Sequence, residues 1–329
     1  MSSARRWAVT ALLVPITIAG AVACGSSNSN KKADATKTSS GAKSTGLTFD
    51  VITHGAAGDA FWSVVKNGAN QAGTDMGIKV NYENDGQPAK QSQLINAAVN
   101  QKVDGLVISM ADPGALKAAV TGAVKAGIPV ITINSGGSDS AAFGAITHVG
   151  QDEEVAGEGA GTKLKAAGAK HILCVIHEAG NVGLEQRCQG AAKTFGGTVT
   201  NLQVDINNLQ QAAATIKAKV SADSSVDGIL ALNPAVATTA VGALGSTSKV
   251  KVATFDLSAD VTKDIEGGKI LFAVDQQQYL QGYLPITLLK LYISNDNTLG
   301  GGKPVLTGPG FVTKANASKV AALAKKGTR

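Results

Sequence analysis

From Leu47 onward, short runs of β-branched and other apolar residues alternate with longer Ala-rich stretches whose apolar positions recur at helical spacing. Strands are predicted at residues 48–53, 78–83, 104–109, 128–133, 171–177, 199–204, 226–232, 250–255 and 270–275. Alternation of this kind builds parallel βαβ units, and nine strands with helices between them suit two doubly wound α/β lobes. An internal echo supports that division. Val103-Asp104-Gly105-Leu106-Val107-Ile108, then Pro113, an Ala-rich helix and Ile128-Pro129-Val130-Ile131-Thr132, recurs as Val226-Asp227-Gly228-Ile229-Leu230-Ala231, then Pro234, another Ala-rich helix and Val250-Lys251-Val252-Ala253-Thr254. Each copy runs strand, Pro-initiated helix, strand, with the first strands offset by 123 residues, as two lobes built on one plan require.

The first residues follow a different pattern. Arg5 and Arg6 precede an apolar stretch from Trp7 to Ala23, which contains Pro15 and Gly20 and ends in small residues suited to signal-peptidase cleavage. Cys24 follows directly, in Ala21-Val22-Ala23-Cys24-Gly25, and the arrangement resembles a bacterial lipoprotein signal, with Ala21 where Leu is usual. The resemblance implies that Cys24 is lipidated and becomes the first mature residue, its acyl chains holding the protein on a membrane. An ordinary cleaved signal peptide and an uncleaved anchor are the alternatives, although the apolar stretch falls short of the roughly 20 residues a spanning helix needs. Residues 25–45 are almost wholly Ser, Asn, Lys, Thr, Gly and Ala, a composition that cannot repay the entropy of ordering and reads as a flexible leash.

Charge changes the picture little. Of the formal +6, Arg5 and Arg6 belong to the signal, and Lys31, Lys32, Lys37 and Lys43 against Asp34 to the leash, which leaves about +1 for the folded body and no argument for nucleic acid. Removal of residues 1–23 leaves 306 of 329, more than one hydrophobic core normally serves. Cys174 and Cys188 remain as a candidate disulfide in an exported protein, or as two buried thiols.

In open α/β sheets, ligands bind beyond the carboxyl ends of the strands. Those ends are here residues 53–62, 85–88, 109–112 and 134–135 in the first half, and 177–187, 205–208, 233, 255–256 and 275–276 in the second. They are rich in amides, carboxylates and aromatics, the groups that satisfy sugar hydroxyls and cover the apolar C–H faces of a sugar ring. The motifs Asp59-Ala60-Phe61-Trp62, Gln87-Pro88-Ala89-Lys90, Glu185-Gln186-Arg187-Cys188-Gln189-Gly190, Asn233, Phe255-Asp256 and Val274-Asp275-Gln276-Gln277 complete a pattern that resembles the type I periplasmic sugar-binding proteins, the ribose and monosaccharide group of ABC transporter substrate-binding lipoproteins. The resemblance spans the chain from Leu47 onward and implies two doubly wound parallel-sheet lobes joined by a three-strand hinge. By position in the motifs, it assigns Asp59, Phe61, Trp62, Gln87, Asn134, Arg187, Asn233, Phe255, Asp256 and Gln276 to ligand binding. Two departures bear on specificity. Asp59 stands where Asn is usual, and Asn134-Ser135 stand where hexose and pentose binders commonly place Asp-Arg, which leaves room for another pentose, an inositol or an acyclic polyol.

Each residue also has a plainer reading. Phe61 and Trp62 could pack the first helix, Asp256 and Asn233 could cap helices, and Arg187 could pair with Glu178 or Glu185 at a lobe surface. Gln276 competes with Asp275, Gln277 and Gln278 for the ligand-facing position, and His54 is only a weak candidate.

Other chemistries find little support. Gly157-Glu158-Gly159-Ala160-Gly161 has the wrong spacing for a nucleotide loop and suits close helix packing, and four scattered histidines with two residual cysteines give no zinc pattern. A glycosidase would need paired carboxylates, for which only Asp59 and Asp256 could be imagined, and a sugar-responsive repressor would need a helix-turn-helix where this chain has a signal and leash.

The resulting expectation is a monomeric, non-enzymatic solute-binding lipoprotein without cofactor, metal or nucleic acid, exported and anchored to the outer face of a bacterial cell membrane. It captures a monosaccharide or polyol and hands it to the membrane subunits of an ABC permease, or alternatively to a membrane sensor. The expected layout is 1–23 signal peptide, 24–46 lipidated tether, 47–148 plus 277–305 for one lobe and 149–276 plus 306–329 for the other, with crossings near Val149, Gln276 and Leu306.

Overall fold

All nine expected strands form in the computed structural model, which describes residues 42–329 apart from residue 57. The expected signal peptide 1–23, lipidation at Cys24 and the tether as far as residue 41 lie outside the described residues. The last tether residues run against the body. The Thr45 amide donates to the Gly77 carbonyl at 2.8 Å, just beyond the first helix.

Two six-stranded sheets carry the fold. The first contains β1 (Thr48–Thr53), β2 (Lys79–Asn84), β3 (Gly105–Ser109), β4 (Val130–Ile133), β5 (Thr147–Gln151) and β11 (Val305–Gly308), in the order β11-β5-β4-β3-β1-β2. The second contains β6 (His171–Ile176), β7 (Thr198–Gln203), β8 (Gly228–Ala231), β9 (Lys251–Phe255), β10 (Phe272–Asp275) and β12 (Gly310–Thr313), in the order β12-β10-β9-β8-β6-β7. One order maps onto the other, so the echo at offset 123 reflects a repeated architecture. All pairings are parallel except β10 with β12, an antiparallel edge that departs from the all-parallel expectation.

Helices cover both faces of each sheet. The first lobe carries α1 (Ala60–Met76), α2 (Pro88–Gln101), α3 (Pro113–Lys125), the short α4 (Gly137–Ser140) and α10 (Gln278–Asn295). The second carries α5 (Glu153–Ala166), α6 (Val182–Phe195), α7 (Leu209–Ala222), α8 (Pro234–Leu244), α9 (Ala259–Glu266) and α11 (Ala317–Lys326). Proline opens α2, α3 and α8, where its missing N–H costs nothing, and Asp112 and Asn233 cap the latter two through their side chains. Each sheet is buried on both faces, around Val51, Val107 and Ile131 on one side and Ile52, Leu106 and Ile108 on the other in the first, and around Leu173 and Ile229 against Ile172 and Leu230 in the second.

The chain passes between sheets three times, after β5, after β10, and between β11 and β12 at the cis Gly308-Pro309 bond. The outer two passages fall later than residues 149 and 306, because β5, though it leaves β4 at Val149, stays paired with β11 through Gln151 and Gly308. Helices that follow the first two passages pack on the lobe they enter at very close range. A Cβ on Gly68 or Gly282 would lie 2.1 Å from the Tyr279 carbonyl oxygen or 1.9 Å from that of Val65, so α1 and α10 touch backbone to backbone. Gly157 and Gly190 do the same for α5 and α6, at 2.1 Å from the Arg187 carbonyl oxygen and 2.0 Å from that of Glu154. Cys174 on β6 and Cys188 on α6 are joined by a disulfide, with Cα atoms 5.9 Å apart.

Candidate ligand-binding site

The carboxyl ends of both sheets face one cleft. Its inner part is a cavity of about 20 Å³ lined by His54, Asp59, Phe61, Trp62, Asn134 and Ser135 from the first lobe, by Arg187, Asn233 and Asp256 among others from the second, and by Gln276 from the middle passage. Eight of the ten residues expected to meet ligand therefore converge here.

Local structure fixes each of them. Asp59 caps α1 by accepting from the Phe61 amide at 2.7 Å, and its other oxygen accepts from Asn233 Nδ2 of the opposite lobe at 3.3 Å. Asn233 caps α8 through its oxygen, so the plain capping role and the cleft-facing amide coexist in one side chain. Asn134 and Asp256 occupy corresponding places, immediately after β4 and β9, and both take left-handed backbone with φ of 62° and 67°. That conformation is costly for a residue with a Cβ, least so for Asn and Asp, and it turns the chain sharply at the sheet edge. Helix α9 is capped by Ser258, which corrects the alternative that Asp256 caps it.

A chain of amides crosses the cavity floor. Asn134 Nδ2 donates to Gln276 Oε1 at 3.1 Å, and Gln276 Nε2 donates to both Asp256 oxygens at 2.9 and 3.0 Å. Burial pushes Asp256 up to about 8, although the nearby Arg187 charge pulls it down. Burial also raises Asp59 from its ordinary value, against the amide donors at the start of α1.

Arg187 is not a lobe-surface residue paired with Glu178 or Glu185. It is 3% exposed, and its fork is gripped by Glu153 at the start of α5, with Nε and one terminal nitrogen 2.6 and 2.9 Å from the two carboxylate oxygens. Burial works against its charge, but Glu153, with Asp256 and Glu178 adding, holds the guanidinium above its ordinary value. Phe255 lies beneath, its ring centroid 4.5 Å from the guanidinium carbon, and is fully buried. Phe255 is therefore absent from the cavity wall, because Arg187 covers it. Phe61 and Trp62 do line the wall, set edge to face at 5.0 Å, while also belonging to the first lobe's core.

Gln87 stands elsewhere. It closes the loop before α2 and lines a second, wider cavity of about 770 Å³ at the outer end of the cleft, between the loops after β2 and β7. Four residues, His54, His177, Glu178 and Asn181, border both spaces. His54 accepts or donates through Nδ1 to Ser109 Oγ at 2.7 Å, and its Nε2 lies 3.4 Å from Asn181 and 3.7 Å from Glu178 across the cleft. Burial, with Arg187 adding, lowers His54 to about 3, and burial lowers His177 to about 4. The His177 Nδ1 atom is buried without a hydrogen-bond partner. Glu153, His54, His177 and Asn181 are the residues that motif reasoning passed over. Only strand-end position flagged the last three, and nothing local flagged Glu153.

Among the described residues, no helix is long and apolar enough to cross a membrane, and no group of three or more His, Cys, Asp or Glu is arranged to hold a metal ion.

Known proteins share this fold. A carbohydrate transporter protein from Acidothermus cellulolyticus, solved in complex with myo-inositol, is 42% identical and superposes with a TM-score of 0.84 over 86% of this chain and 99% of its own. An ABC transporter solute-binding protein from Burkholderia graminis, solved with D-arabinose, shares the fold with a TM-score of 0.73 over 82% of this chain and 96% of its own, at 24% identity. The xylose/arabinose-binding protein XylF of Sulfolobus acidocaldarius is 25% identical over 241 residues, which cover 68% of this chain but only 60% of that protein. Residues 49–297, most of the chain, match the periplasmic binding protein domain, and with the paired sheets of the type I fold they make this chain a member of that family, among the sugar-binding proteins of ABC transporters.

Proposed function

We propose that this protein is the solute-binding lipoprotein of an ABC importer, that it captures an uncharged cyclic polyol or monosaccharide between its lobes, and that closure about the three crossings presents the loaded form to the permease. The observation that carries the reading is convergence. Asp59 and Asn134 from one lobe, Arg187, Asn233 and Asp256 from the other, and Gln276 from a crossing all reach one cavity.

The chemistry of the lining favours a neutral, hydroxyl-rich guest. Glu153 neutralises Arg187, so the site offers no free cation to clamp an acid. A carboxyl held near 8 keeps a proton at neutrality and can donate as well as accept, as a hydroxyl partner requires. His177 Nδ1 and the cross-cleft pair Asn233–Asp59 are further groups that ligand hydroxyls would satisfy. Phe61 and Trp62 would cover the apolar face of a ring.

Size sets the mechanism. A cavity of about 20 Å³ holds roughly one water, so a sugar ring enters only when the lobes separate. The ties inside the cleft that must open include Asn233 to Asp59, Ser135 to Asn181 at 3.1 Å, the Val182 amide to the Ala111 carbonyl at 3.1 Å, and His54 Nε2 to Asn181 and Glu178. A ligand that replaces these bonds with its own stabilises the closed form by its differential affinity for it. In this reading Arg187 and Asn233 read hydroxyls from the second lobe, Phe255 acts by supporting Arg187, and Gln87 lies along the entrance. Lipid-bearing Cys24 would hold the body beside the permease on the outer face of the membrane.

The likeness to the myo-inositol complex directs the first test. Calorimetric titration of the mature body with myo-inositol, D-xylose, D-arabinose and D-ribose should give saturable one-site binding to at least one, without consumption of the sugar. Absence of binding across these and a wider polyol panel, or chemical turnover of any of them, would overturn the proposal.

A further inference from the structure

We propose that Arg329 is a positioning residue for the ligand site, and that residues 327–329 form a strap that sets how readily the cleft opens. The ligand-affinity part rests on the binding role proposed above.

Arg329 reaches the middle passage from behind. Its Nε donates to Asp275 Oδ2 at 2.8 Å, a terminal nitrogen lies 2.8 Å from the same oxygen, and the other terminal nitrogen donates to Gln277 Oε1 at 3.0 Å. These two partners flank Gln276, the passage residue in the cavity. Asp275 has a side chain only 1% exposed, and its other oxygen accepts from the Gln277 amide at 2.9 Å, which holds Gln277 in left-handed backbone with φ of 56°. Gln277 Nε2 in turn donates to the Thr307 carbonyl at 2.6 Å, on the strand that leads to the third passage. Gln281 joins the same network, donating to Gln276 Oε1 at 2.8 Å and to Thr307 Oγ1 at 3.2 Å. The aim of the Gln276 side chain at Asp256 and Asn134 is thus set from both sides of its backbone, and Arg329 neutralises the buried carboxylate around which that backbone turns.

The same segment also ties the lobes together. Helix α11 packs on α9 in the second lobe, whereas the Gly327 carbonyl that follows it accepts from Asn67 Nδ2 of α1, in the first lobe, at 3.0 Å. Residues 327–329 therefore touch the first lobe, the second lobe and the passage between them. Rotation of the lobes about the passages must stretch the Asn67–Gly327 bond or pull the segment off Asp275. The planar fork brings three nitrogens to Asp275 and Gln277 in fixed geometry, which lysine, a point charge on a flexible stem, reproduces only in part.

The test uses the full chain with Arg329→Gln, Arg329→Lys and Asn67→Ala. Small-angle scattering without ligand reads the lobe opening, and stopped-flow reads the rates for a sugar that the wild type binds, such as myo-inositol. For Arg329→Gln, a larger radius of gyration in the ligand-free protein is expected, with about tenfold weaker binding that comes mainly from faster dissociation. Arg329→Lys should fall between this variant and wild type, and Asn67→Ala should shift scattering and dissociation in the same direction by less. A wild-type scattering profile and dissociation rate in both Arg329→Gln and Asn67→Ala would overturn the inference. Should Arg329→Gln fail to fold, Asn67→Ala, an exposed change on α1, decides alone. Should the wild type bind no sugar, the proposed function fails, while the scattering comparison still decides the strap.

Discussion

Arg187 shows how one residue's role is set by another that never meets the cavity. Its guanidinium is buried, and Glu153 supplies both the countercharge and two hydrogen bonds. Removing one partner of a buried ion pair leaves an uncompensated charge, typically at about 3–5 kcal/mol. Glu153→Gln is therefore expected to lower the free energy of unfolding by a few kcal/mol in urea titration and to weaken sugar binding, although Glu153 does not line the cavity. Stability within about 0.5 kcal/mol of wild type, the range of ordinary surface changes, would show that Arg187 draws its stabilisation elsewhere. Arg187 was legible because it sits in a motif at the start of a helix after a strand. Its partner was not, because Glu153 lies 34 residues away and is brought close only by α5 packing on α6. Asn134 and Asp256 were likewise legible as strand-end polar residues, whereas their left-handed backbone is visible only once the sheet edges are built.

At the scale of elements, the repeated plan rests on two helix pairs that meet through glycine, α1 with α10 and α5 with α6. A side chain at Gly282 would begin 1.9 Å from the Val65 carbonyl oxygen, and at Gly157 2.1 Å from that of Arg187. Neither neighbour is a flexible tip, so the helices must move apart and give up buried contact. Gly282→Val and Gly157→Val are each expected to cost about 1–3 kcal/mol or more of stability in chemical denaturation, the range for overpacking a close contact. Gly157→Val should also weaken ligand binding, since it displaces the backbone of Arg187 itself. Wild-type unfolding midpoints would mean that the pairs are looser than this geometry. The Gly157–Gly161 cluster was readable as a packing motif from its glycine spacing. Three strands were not. Thr147–Gln151 places His and Gly inside a five-residue run, and Val305–Gly308 and Gly310–Thr313 are four residues each, split by Pro309, so none carries the apolar run by which the other nine announce themselves. Their partners make them strands: β11 pairs with β5, and β12 with β10.

For the molecule as a whole, buried histidines and a buried carboxyl make stability respond to pH in opposite senses. His54, His148 and His177 have folded values of about 3, 4 and 4, below the ordinary 6.5, because burial disfavours their charged forms. As pH falls below about 6.5 the unfolded chain takes up protons first, so the stability these groups confer is present above that value and lost toward about 4. Asp256 behaves in reverse. Its folded value of about 8 lies above the ordinary 3.8, so the native state holds a proton that the unfolded chain releases, and its contribution is lost as pH rises from about 4 to about 8. Each group contributes at most about 1.4 kcal/mol per pH unit within its window. Three histidines outweigh one carboxyl below about 6.5, and above it the Asp256 contribution continues to fall, so the balance of these four groups places the stability maximum near pH 6.5. Urea midpoints measured between about pH 4.5 and 8 should trace that maximum, and Asp256→Asn should flatten the alkaline limb and steepen the acid one. Opening the cleft wets His54, His177 and Asp256 while His148 stays in the core of the first lobe, so sugar affinity should follow the same curve with a shallower acid limb. An alkaline limb that survives Asp256→Asn would show that another group carries the proton, and that the carboxyl is ionised inside the closed cleft.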